Sequence, residues 1–182
     1  YPAPGLPELA QEVADAISPD RVGADLDGWG LDHGTWGVLV HAFPDADIPV
    51  VQLSIDARKP LDWHLQLGAK LAALRARGVL IVGSGNVVHN LGLVNWGMDG
   101  GYPWADGFDE AVRDAILAGN FRAPAEYSSI PDAGKAVPTA EHYYPLLAAL
   151  GAADAGDRVS VWNEYRELGS MSMTSYLFTA GE

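Results

Sequence analysis

No cysteine occurs in the 182 residues. A disulfide framework and a thiolate metal site are therefore both excluded, and any metal must be held by imidazole and carboxylate. Basic residues are scarce. Eleven Lys and Arg stand against 24 Asp and Glu, a formal charge of −13, so the basic stripe that neutralises phosphates on a nucleic-acid surface is missing. No apolar run approaches the roughly 18 residues of a membrane span, and no basic-then-apolar leader is present. The expectation is a cytoplasmic protein with neither nucleic acid nor membrane as partner. Internal repeats are absent, and so is the His-Glu-x-x-His helix that would mark a zinc hydrolase.

What is present suits a globular domain. Hydrophobic residues make up 48% and charged residues 19% of a chain long enough for one sizeable core. Pro7 to Ile17 reads as an amphipathic helix with proline in its first turn. A short strand is expected around Arg21 to Leu26, and a short helix from Thr35 to Phe43. Ile48 to Ile55 is almost pure Val, Ile and Leu, and reads as a strand with Pro49 near its start. Pro60 to Arg77 is the strongest helix, closed by Gly78. Val79 to Val82 follows as a strand buried on both faces. Strand, helix and strand in this order predict a βαβ unit with parallel strands.

Farther along, Trp104 to Leu117 reads as a helix, and Arg122 to Val137 as surface loop with at most one helical turn. Another helix is expected from Pro138 to Gly151, and two final strands, Arg158 to Tyr165 and Ser170 to Phe178, pair antiparallel. The predicted fold is α/β, a single domain with a central, mostly parallel sheet flanked by helices.

Five histidines are available for chemistry. His33 lies at a loop-to-helix junction, His89 follows the buried run through Gly83-Ser84-Gly85-Asn86, and His142 opens a helix. Ligands bind outside the carboxyl ends of such strands, which places His89 well. His41 and His64 fall inside helices and read as structural. Imidazoles suit zinc and non-haem iron equally, so the residues alone leave the metal open.

Four blocks then carry a resemblance: Asp32-His33-Gly34-Thr35-Trp36, Pro44 to Ile55, Gly83 to Leu91, and Glu141-His142-Tyr143-Tyr144-Pro145-Leu146-Leu147. In that order they resemble the DODA-type class III extradiol ring-cleaving dioxygenases, most closely the bacterial 4,5-DOPA dioxygenase-like proteins. The resemblance implies a mononuclear non-haem metal, Fe(II) or Zn(II), that opens a catecholic ring with O2. It implies His142 as a metal ligand and His89 as either ligand or acid/base. His33 matches another pocket histidine, second choice for the acid/base. Asn90, Trp36 and Tyr143 are expected beside the substrate, with Asn86, Tyr102 and Trp104 as further candidates. Two other metal-ligand motifs of the family, His-Gly-Ser-Pro and Ser-Ala-His-Trp, precede the segment that Tyr1 begins and do not occur here. The resemblance thus implies that residues 1–182 are the C-terminal two-thirds of a longer catalytic chain. A zinc-dependent hydrolase and a non-enzymatic binding member of the fold are the rival readings, and the oligomeric state is open.

Overall fold

The computed structural model describes residues 1–25 and 28–181. The chain divides into two compact units, Tyr1–Asp56 and Ala57–Glu182.

The first unit carries two helices. Helix α1, Pro7–Ala16, begins on its proline, whose missing N–H costs nothing in the first turn. Helix α2, His33–Ala42, is capped by Asp32, whose carboxylate accepts the Thr35 N–H at 2.9 Å. The Gln52 amide oxygen reinforces that start, accepting from the Asp32 N–H at 2.8 Å and the Thr35 hydroxyl at 2.9 Å. Residues 21–25 form no strand, and Leu26 lies outside the described residues. Ile48 to Ile55 also forms no strand, and both end residues are close to half exposed.

The second unit holds the core. Helix α3, Leu61–Leu71, continues as a 3-10 turn, Ala72–Arg77, and stops at Gly78, whose φ of +82° is one that glycine adopts without strain. Helix α4 spans Pro103–Leu117 and buries Ala105, Phe108, Val112 and Ile116 along one face. After it come a 3-10 stretch, Ala123–Ser129, and a single helical turn, α5, Ala133–Ala136, more helix than the composition of that segment promised. Helix α6, Tyr144–Ala152, starts six residues later than the Pro138 signal suggests. Pro145, at the first turn, sets its true beginning, and His142 sits in the turn ahead of it.

Helices α3 and α6 touch backbone to backbone. A Cβ on Gly68 would fall on the Ala148 carbonyl, and one on Gly151 on the Leu65 carbonyl. The final residues form two small antiparallel sheets: β1, Arg158–Trp162, with β4, Ser175–Thr179, and β2, Arg166–Glu167, with β3, Met171–Ser172. The antiparallel expectation for the last pair therefore holds.

The central parallel sheet does not appear among the described residues, where both strand pairs are antiparallel. Val79 to Val82 makes no ladder, and Leu80 and Val82 are 60% and 54% exposed rather than buried on both faces. The reason is physical. A β-branched run favours extended backbone, but a strand exists only when a neighbour takes its N–H and C=O groups. Composition speaks to the first condition and not to the second. No helix among the described residues is long and apolar enough to cross a membrane.

Candidate active site

Residues 83–90 leave the exposed apolar run and cross toward the start of α6. Gly83 and Gly85 are two apart, so on extended backbone they face the same way. A Cβ on Gly83 would meet the Pro145 carbonyl, and one on Gly85 the His142 carbonyl. These glycines therefore permit a close approach of two backbones. The bend falls later, at Val87 and Val88. Two glycines at a spacing of two, beyond an apolar run, were the available signal for this approach.

The approach is sealed by hydrogen bonds. The Asn86 N–H donates to the His142 carbonyl at 2.8 Å, and the His89 N–H to the Ala136 carbonyl at 3.0 Å. One outcome is a pair of imidazoles, His89 and His142, lying face to face with centroids 3.6 Å apart and planes within 7°. Both are half-buried. Burial and the positive charge that His142 can carry push the His89 pKa below the ordinary imidazole value, against a backbone hydrogen bond that raises it. Among the described residues, no group of three or more His, Asp or Glu is placed to hold a metal ion.

The other candidates divide. The Asn90 side-chain amide donates to the Lys135 carbonyl at 2.8 Å, which ties down the loop next to His89. Tyr143 is fully buried, and its hydroxyl donates to the Pro124 carbonyl at 2.9 Å. It packs against Phe108 and Tyr127 as core, a correction to its expected place at a pocket wall. That burial also lifts its phenol pKa far above the usual range. Tyr102 and Trp104 stack with centroids 5.8 Å apart at the edge of the same core. His33, the first residue of α2, and Trp36, one turn on, belong to the first unit and are both exposed. His41 lies in the last turn of the same helix, exposed. His64 is buried in α3 and stacked on Tyr144 at 3.9 Å, the structural role expected of it.

Comparison with known proteins places this chain in a class of aromatic ring-opening dioxygenases. It belongs to the family described as "Catalytic LigB subunit of aromatic ring-opening dioxygenase", which matches residues 1–179. It is 47% identical to the "4,5-DOPA dioxygenase extradiol" of Escherichia coli (strain K12) over 182 residues, covering 96% of this chain and 66% of that protein. The protein of the same description from Beta vulgaris is 38% identical, with 99% and 68% covered. The chain thus spans about two thirds of the length of these curated relatives. A crystal structure of an uncharacterized protein from Escherichia coli K12 superposes with a TM-score of 0.89 at 46% identity, covering 97% of this chain and 74% of that one.

Proposed function

We propose that the chain is the larger part of an extradiol dioxygenase that opens a catecholic ring, 4,5-DOPA-like, with O2 at a mononuclear non-haem metal, Fe(II) or Zn(II). The observation that carries this reading is the face-to-face stack of His89 and His142 in a chain of this family. Imidazole lone pairs lie in the ring plane, and zinc sits about 2.0–2.1 Å from such a nitrogen. Two rings in near-parallel planes with centroids 3.6 Å apart do not aim their in-plane lone pairs at one point. The stack therefore supports giving the rings different work, with His142 as ligand and His89 as proton carrier, and speaks against His89 as a second ligand.

A single imidazole does not hold a divalent ion. His142 fits as one donor, and the remaining ligands are assigned to residues beyond this chain, in an N-terminal part of a longer polypeptide. When bound, the metal would act as Lewis acid and template for both catechol oxygens. A ring nitrogen of His89 would take the proton of a catechol hydroxyl and return it as the ring opens. Asn90 orients the segment.

Oxygen uptake tests the reading. The full-length protein, loaded with Fe(II) and given a catechol in air, is expected to consume oxygen and form a yellow semialdehyde-type product. Ester cleavage without oxygen uptake would replace it with the hydrolase, and inertness to both with a binding protein. His142→Ala in the same protein is expected to lose most of its bound metal by elemental analysis, because an outer or inner partner typically changes metal affinity by about 10-fold or more. Unchanged metal content in a folded variant would make His142 only a residue of the turn before α6.

A further inference from the structure

The segment that carries His89 is held from its other side by β3. The Val88 N–H donates to the Ser172 hydroxyl oxygen at 3.1 Å, and the Ser172 N–H returns a bond to the Val88 carbonyl at 3.0 Å. The Asn86 amide donates to the Ser172 carbonyl at 2.7 Å. Two residues back, the Ser170 carbonyl accepts the Asn90 N–H at 3.1 Å, and the Ser170 hydroxyl donates to the Asn90 carbonyl at 2.7 Å. Both serines are buried. Ser172 of β3 and Ser170 just before it thus fix the backbone on both sides of His89, and His89 itself bridges to Met171 between them.

This strand is in turn pinned to α4. Arg166 stands opposite Ser172 in the β2–β3 pair. Its guanidinium donates to Asp106 at 2.7 Å and to Asp109 at 3.0 Å, both on α4. The Thr174 hydroxyl donates to the same Asp109 oxygen at 2.6 Å. Asp109 is 1% exposed, and a buried carboxylate keeps one geometry because leaving it would strand a charge. Burial raises its pKa, and the hydroxyls and Arg166 oppose that rise. The anchor is therefore stiff, and Ser172 is the point at which it meets the catalytic segment.

We propose that Ser172, backed by Arg166 and Asp109, is a positioning residue that sets where the His89 imidazole stands for proton transfer. The assignment rests on the reaction proposed above. Val88 is fully buried, so removing the Ser172 hydroxyl leaves its N–H with no water to replace the lost acceptor. The backbone must shift to recover a bond, and the next residue along is His89. Misplacement by about 1 Å costs on the order of 10²-fold in rate.

Ser172→Ala is made in the full-length, metal-loaded protein, with Ile116→Val on the buried face of α4 as a stability control away from the clamp. The expected result for Ser172→Ala is a kcat about 10- to 100-fold lower with KM within about twofold, unchanged metal content, and faster hydrogen exchange at the Val88 amide. Ser172→Cys, which keeps a weaker acceptor, is expected to lose less of the same parameter and stands in if Ala does not fold. An unchanged kcat, or an equal loss in Ile116→Val at no greater a drop in Tm, overturns the proposal. Unchanged Val88 exchange overturns the clamp whatever the reaction is. Full turnover in His89→Ala would instead overturn the reaction assignment and leave the exchange result standing.

Discussion

His89→Ala is expected to lower ring-opening turnover by about 10²–10⁴-fold, the usual worth of a positioned proton carrier. Metal content is expected to stay near that of the parent protein if, as proposed, His142 is the ligand and the stacked His89 the proton carrier. The variant removes only a half-buried side chain from a segment whose backbone bonds all remain. Its fold should therefore survive, and the loss should appear in kcat. Loss of the metal would make His89 a ligand. His64→Ala is the control. That ring is buried against Tyr144, so its removal is expected to lower Tm far more than turnover at temperatures where the variant is folded. Equal turnover losses at equal stability would place the active site elsewhere.

The largest expected effect on stability is at the crossing of α3 and α6. Gly151→Val puts branched carbon where the Leu65 carbonyl already stands, and Gly68→Val does the same against Ala148. Overpacking against flexible side chains costs about 1–3 kcal/mol, and backbone cannot step aside by changing rotamer. A loss of about 3 kcal/mol or more is expected, roughly 6–12 °C in Tm for a chain of this size. Gly107→Ala is the informative contrast. It lies inside α4, exposed, with nothing near the position of its Cβ. There the entropy of glycine is the only matter at stake, and the change is expected to stabilise by about 0.5–1 kcal/mol. Thermal melts of the two variants decide the point. A harmless Gly151→Val would mean that the helices are not in backbone contact.

The helices were legible because their signals are local. Pro7, Pro60, Gly78 and the apolar spacing of Trp104 to Leu117 each mark a boundary or a face within a few residues. The strands were not. Ile48 to Ile55 and Val79 to Val82 have the right composition, yet whether such runs pair depends on distant residues, and here they do not. The same contrast runs through the site. His89 and His142 could be singled out from their blocks, and the structure brings their rings together. The purpose of Gly83 and Gly85 could not be read, because it depends on the backbone of His142 and Pro145. Tyr143 misled for a related reason. The resemblance put it beside the substrate, while its hydroxyl is committed to Pro124 in the core. The clamp from Ser172 left no local trace at all, since a serine in a short strand has many possible roles.

The clamp also sets the order in which the molecule can be built. The bonds to Asn86, Val88 and Asn90 close loops of 86, 84 and 80 positions. Non-local closures of this kind cost chain entropy before they return any stability, and they slow the formation of the structure that depends on them. Helices such as α4 satisfy their backbone within a few residues and can form early. The segment around His89 completes its hydrogen bonding only once Ser170 and Ser172 have been synthesised and docked.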